Sequence, residues 1–282
     1  MKTGNAIKFM VISALAFACM NLTVKYLSGI NSYQIVFFRS VSSLFFTFGF
    51  LIKNKIPIIG NNQKLLILRG LVGATSMTLF FISIKYLSVG TAVSLRYIAP
   101  IFAAIFAIIF LKEKIRPLQW LFFLMAFSGV IILKGFDRHM STYGLILVLI
   151  ASVFSGLVYI IISKIGKSEH PIVIVNYFMV VATIVGGLLS IGNWVNPVGI
   201  EWVLLLSLGV FGFYGQVYMT KAFQSAATGQ VAPLKYIEVV FTVIFGLLWF
   251  GEVYTVWSFL GIFMIIGGLV LNVLYKKGSL NN

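Results

Sequence analysis

Leu95-Arg96-Tyr97-Ile98 and Leu234-Lys235-Tyr236-Ile237 are one short phrase written twice, 139 residues apart. Sliding the chain over itself by that offset, without a gap, also lays Gly70 on Gly209, Gly73 on Gly212 and Gly90 on Gly229. Further along it lays Phe102 on Phe241, Ile105 on Ile244, Phe106 on Phe245, Glu113 on Glu252 and Gly129 on Gly268. Leu and Ile coincidences carry little weight between apolar segments, which resemble one another by composition. An ordered series of Gly, Tyr, basic and Glu matches reads as an internal duplication.

The surroundings of the phrase fix the medium it folds in. Of 282 residues, 60% are hydrophobic and 10% charged, with a mean hydropathy of +1.05, whereas a soluble domain is roughly one quarter charged. The apolar runs are continuous rather than alternating, which selects helices over a barrel. A span needs about 20 apolar residues, and breaks at Gly, Pro, Asn and charge clusters predict helices at about 6–27, 32–52, 65–87, 90–111, 118–134, 143–163, 171–191, 201–221, 230–250 and 255–275. The expected fold is an all-α integral membrane protein of about ten transmembrane helices, with a first repeat at 1–137 (helices 1–5) and a second at 138–282 (helices 6–10). The first apolar run persists to about Leu27 without a clear cleavage site and reads as a retained helix.

Charge sets the orientation. With the N-terminus inside, fourteen of the 21 Lys and Arg residues fall on cytoplasmic connections and four (Lys25, Lys85, Lys134 and Arg138) on the opposite side. Arg39, Arg96 and Lys235 fall within spans. The positive-inside rule then puts both termini in the cytoplasm. The formal charge of +15 is explained by topology and requires no nucleic acid. Five spans per half is an odd number, so the second half enters the membrane inverted relative to the first. Inverted repeats place a solute site near mid-bilayer where the halves meet, and their two mirror-related packings suit alternating access.

The stretch Tyr97-Ile98-Ala99-Pro100-Ile101-Phe102-Ala103-Ala104, followed by Leu111-Lys112-Glu113-Lys114 and a closing Gly129-Val130, resembles the EamA repeat of the drug/metabolite transporter superfamily. The resemblance extends over nearly the whole chain and both halves. It implies ten helices, a central cavity lined mainly by the first, third and fourth helices of each half, and transport of small organic solutes such as amino acids, with export favoured over uptake. Arg39 is similar to the family's frequent Arg in the second span, and Glu113 and Glu252 to the Glu ending the fourth span of each repeat. The second half departs from the pattern with Glu238-Val239 where the repeat commonly has Glu-Pro, and the first half has Ala99-Pro100.

Charges in hydrocarbon cost about 2.5–3.5 kcal/mol on insertion scales and usually face a partner or a wet cavity. The candidates are Arg39, Arg96, Lys235 and Glu238. Two readings stand side by side. In one, Arg96 and Lys235 attract a carboxylate or phosphate and Glu238 takes an ammonium group or a coupling proton. In the other, these residues snorkel to an interface or pair structurally, Lys235 and Glu238 being three apart on one helix face. Tyr97, Tyr236, Tyr159, Tyr214, Gln216 and Asn21 are candidates to line an aromatic and polar pocket. Arg39 and Pro100 read as structural. Glu113 and Glu252 either bind exposed N–H groups of the following helix and gate an opening, or are helix-start acids serving the dipole.

One cysteine, Cys19, and two separated histidines, His139 and His170, supply no metal site, and no cofactor is expected. The expected partners are a small-molecule substrate and the lipid bilayer, with the chain a monomer or weak homodimer. Without a targeting extension in this sequence, the expected location is the bacterial plasma (inner) membrane. A membrane-embedded enzyme would need clustered nucleophiles or acids in the spans, where one carboxylate stands. A channel or structural bundle would more often draw its symmetry from oligomerisation.

Overall fold

The computed structural model describes residues 3–111, 117–136, 140–165, 168–225 and 235–278. These residues form eleven α-helices: α1 (Thr3–Tyr26), α2 (Ser32–Lys53), α3 (Gln63–Tyr86), α4 (Val89–Arg96), α5 (Ala99–Leu111), α6 (Pro117–Phe136), α7 (Thr142–Ile165), α8 (Pro171–Ser190), α9 (Ile200–Ser225), α10 (Ile237–Phe250) and α11 (Val256–Gly278). Taking α4 and α5 together, eight segments are long and apolar enough to cross a membrane. Two more, Pro117–Leu133 and Ile237–Phe250, are shorter apolar helices. The chain is therefore a multi-pass membrane protein of about ten helices. Its outward faces agree with that medium: Phe45, Leu248 and Phe263 are 80%, 73% and 70% exposed, an arrangement costly in water and inexpensive in hydrocarbon.

The single helix expected over 90–111 is broken. Pro100 lacks an N–H, and its ring meets the carbonyl of the residue four before it, so α4 stops at Arg96 and α5 begins at Ala99. Backbone groups freed in an apolar interior need partners. The carbonyl of Leu95 is served by the Ile98 N–H at 3.1 Å. The Ser152 hydroxyl of α7 stands beside the break, 3.2 Å from the carbonyl of Leu95 and 3.5 Å from that of Arg96, the one Pro100 leaves without its helical donor. In the second half Lys235 and Tyr236 form a 3-10 turn ahead of α10. α10 ends at Gly251, whose φ of 58° is the left-handed conformation that glycine adopts without strain.

The principal helix pairings are α1 with α9 and α10, α2 with α8 and α9, α3 with α7 and α8, α5 with α7, α4 with α10, and α6 with α11. Exchanging α1 with α7, α2 with α8, α3 with α9, α4/α5 with α10, and α6 with α11 returns the same set. Small residues allow the closest of these approaches. A Cβ added at Gly129 of α6 would stand 2.6 Å from the carbonyl oxygen of Gly261 on α11. Buried amide and hydroxyl pairs cross the same seams, Gln119 to Asn272 at 2.9 Å and Thr47 to Asn176 at 2.9 Å.

Candidate functional site

The α4/α5 break opens onto a cavity of about 310 Å³ walled by α1, α2, α3, α7, α8, α9 and the start of α10. Beyond the first, third and fourth helices of each half, the second helices also contribute, through Arg39 on α2 and Phe178 on α8. Its chemistry centres on Glu238, buried in the first turn of α10. One carboxylate oxygen accepts from Asn21 Nδ2 of α1 at 2.9 Å, the other from the Tyr97 hydroxyl at 2.6 Å. Tyr97 reaches there because the break turns it toward α10, and its ring stacks edge-on against Tyr236, centroids 5.1 Å apart. Both donors act on the carboxylate form, each such bond being worth about 1.5–3 kcal/mol.

No ion pair joins Lys235 to Glu238 within 4 Å; the pair formed among the described residues is Lys25–Glu252 at 3.9 Å. Lys235 stands in the 3-10 turn that leads into α10, and its Nζ lies 5.7 Å from the Tyr97 ring centroid. Arg96 ends α4 with its guanidinium 4.2 Å from the Phe80 ring centroid. Arg39 is buried and, among the described residues, donates only to methionine sulfurs, Met20 at 3.3 Å, Met77 at 2.7 Å and Met179 at 3.8 Å. Thioethers are weak acceptors.

Of the other expected residues, Tyr159 and Gln216 line this cavity. Tyr236 is buried behind Tyr97. Tyr214 instead lines an adjoining apolar cavity of about 390 Å³ between α2, α8 and α9, which shares Pro171, Val175 and Gln216 with the first. Glu113 lies outside the described residues, as does His139.

Arg69 is the residue that sequence reasoning misplaced. Counted there with the cytoplasmic connections, it sits inside α3, 8% exposed, in the cavity wall. Its guanidinium lies 4.2 Å from the Phe178 ring centroid, and its Nε and Nη1 have no hydrogen-bond partner among the described residues. A cation–π contact returns about 0.5–2 kcal/mol, less than the cost of the buried charge. Its depth within the third apolar run was the available signal. The repeat gave none, because the counterpart is Leu208.

Glu252 sits at the opposite end of the bundle and behaves differently from either expectation. Its carboxylate accepts from the N–H of Val89 at 2.9 Å and so caps α4 of the other half, not the helix that follows it. Tyr254 donates to the same carboxylate and accepts from the Gly90 N–H at 3.2 Å. Burial and the adjacent carboxylate push the Tyr254 phenol above its ordinary range, so it remains a donor. Lys25 completes the cluster, donating to the carbonyls of Ile84 and Leu87 at 3.0 and 2.7 Å, where α3 ends. This cluster ties α1, α3, α4 and the 251–255 connection together at one face. The cavity lining runs the other way, to Arg69 near the start of α3, Pro171 at the start of α8 and Ile162 near the end of α7.

Comparison with known proteins agrees with this architecture. The EamA-like transporter family matches twice, over residues 4–134 and 142–274. Solute carrier family 35 member G1 of Homo sapiens is 30% identical, over 95% of this chain and 78% of its own. The pseudopaline exporter CntI of Pseudomonas aeruginosa is 29% identical over 95% of both chains, and the S-adenosylmethionine uptake transporter of Rickettsia prowazekii 26% identical over 99% and 95%. One solved crystal structure superposes with a TM-score of 0.69 at 14% identity, covering 97% of this chain and 98% of that one, a likeness of fold alone. The chain belongs to the EamA-like transporter family of the drug/metabolite transporter superfamily and is a small-molecule transporter rather than an enzyme.

Proposed function

We propose that the protein is a secondary transporter of a small polar or amphipathic metabolite, working by alternating access between two inverted halves, residues 1–137 and 138–282. The observation that carries this reading is the placement of the cavity on the junction of those halves, with Glu238 of one half held by Asn21 and Tyr97 of the other. The helix-pairing set, unchanged when the halves are exchanged, supports the inverted relationship and two facings of similar energy. With the Lys25–Glu252–Val89 cluster closing one face, the cavity faces the side on which α3 and α8 begin.

That side is the cytoplasm in the orientation set by charge. Placing Arg69 in the cavity wall leaves thirteen basic residues against four, which still favours cytoplasmic termini. A bacterial plasma membrane is supported by the CntI relative. Export is the favoured direction on the family's behaviour, although relatives named for export and for uptake both match.

Glu238 is the proton-coupling group in this reading, and Asn21 supports it. The Oδ1 of Asn21 is buried with no partner among the described residues. When Glu238 takes a proton, a half-turn of the Asn21 amide lets Oδ1 accept it, so both protonation states keep a hydrogen bond. Flux in proteoliposomes tests the whole reading, using a panel of amino acids, nucleosides and organic anions with and without a pH gradient. Saturable transport of one class is expected; no crossing by any of them overturns it.

A further inference from the structure

Four basic side chains, Arg39, Arg69, Arg96 and Lys235, line the main cavity, and among the described residues Glu238 is the only acid that does. Glu238 is already served by Tyr97 and Asn21, and no basic residue pairs with it within 4 Å. Arg39 and Arg69 approach one and the same ring, Phe178, at 5.9 and 4.2 Å from its centroid. Two like charges so placed repel each other in a low-dielectric wall. Arg69 is more than nine-tenths buried with Nε and Nη1 unpartnered. It is seated by Gly73, where an added Cβ would come within 3.1 Å of its Nη1. A buried cation without a counter-charge signals one supplied from outside.

From this geometry we infer that the solute is a small organic polyanion, carrying at least two anionic groups on a carbon skeleton. Arg69 and Arg96 bind the anionic groups, and Arg39 adds to the positive potential between them. Guanidinium forks bind carboxylate and phosphate oxygens in pairs, so either group meets the requirement. Phe178, Phe81, Met77 and Phe17 in the same wall supply an apolar surface for the skeleton. An organic anion therefore fits better than inorganic phosphate. Arg69 stands where the cavity lining reaches the start of α3, so it is the first of these cations that an arriving anion meets.

The inference rests on the proposed transport reading but is tested by binding, which does not depend on turnover. The purified full chain in nanodiscs is titrated with acetate, succinate, citrate and 3-phosphoglycerate, with triethyl citrate and glycerol as neutral shape controls, and thermal unfolding is followed. A saturable upward shift is expected that strengthens from acetate to succinate to citrate and is absent with the neutral controls. 3-Phosphoglycerate against succinate, each with two anionic groups, distinguishes a phosphate-bearing from a purely carboxylate solute. Citrate affinity is expected to fall at least tenfold in Arg69→Gln and in Arg96→Gln, and on the unmodified protein it is expected to weaken with added sodium chloride. Arg69→Lys, which keeps the charge and the fold, should bind more weakly than the native chain and more tightly than Arg69→Gln. Equal shifts with triethyl citrate, affinity unchanged in these variants, or no saturable shift with any anion overturns the inference. Citrate binding without flux of any solute leaves it standing and removes the transport reading instead.

Discussion

Tyr97 donates its hydroxyl to Glu238 at 2.6 Å, bridging the α4/α5 break and the first turn of α10. Tyr97→Phe keeps the ring against Tyr236 and removes only this donor, worth about 1.5–3 kcal/mol to a charged acceptor. Flux through proteoliposomes should fall about tenfold or more with protein yield preserved. Unchanged flux would separate this bond from transport.

Glu238→Gln removes the ionisable group and keeps the shape. Accumulation driven by an imposed pH gradient should be abolished, while solute exchange in the absence of a gradient persists. Comparing counterflow with gradient-driven accumulation on the same vesicles checks this. Accumulation at the native level would take Glu238 out of coupling.

At the closed face, Glu252→Gln replaces the charge that caps α4. Losing charge-assisted bonds of about 1.5–3 kcal/mol should open that face to a larger share of the population. A cysteine at Val93, in a chain lacking Cys19, should then react roughly tenfold faster with an impermeant thiol reagent applied from the Lys25 side. An unaltered rate would make the cluster a static brace.

Packing at the α6–α11 seam gives a test of the fold itself. Gly129→Leu forces a side chain against the Gly261 backbone, and overpacking of this kind costs about 1–3 kcal/mol. The thermal unfolding midpoint should drop clearly below that of the native chain. A midpoint unmoved by the substitution would mean the helices are farther apart than described.

The repeated phrase at Arg96-Tyr97 and Lys235-Tyr236 was enough to predict the bundle, because hydropathy and the ordered Gly, Tyr and Glu matches are local properties of the chain. It also pointed to Tyr97, Lys235 and Glu238, since a charge or phenol in an apolar run is conspicuous. Three features lay beyond it. The α4/α5 break depends on whether neighbours can serve the carbonyl that Pro100 frees, and Ser152 stands 56 residues from Arg96. Arg69 lies six residues into α3, a depth at which a long side chain can snorkel or turn inward, and only packing against Phe178 decides between them. Glu252 caps a helix 163 residues away, a partnership that no spacing rule contains.

The offset that aligned the two halves also carries Lys25 onto Lys164 and Glu252 onto Glu113. Lys164 is exposed, its Nζ 5.6 Å from the Phe110 ring centroid, while Lys25 is engaged with two carbonyls. Under the proposed alternating access, Lys and Glu recurring at matched positions of the two halves make the preference between facings a small difference between two nearly equal quantities. One charge altered at either end then tips that difference without touching the solute-binding wall. Drift at such positions offers a lineage a way to retune the resting orientation, and with it which compartment the carrier samples first, while its cargo stays the same.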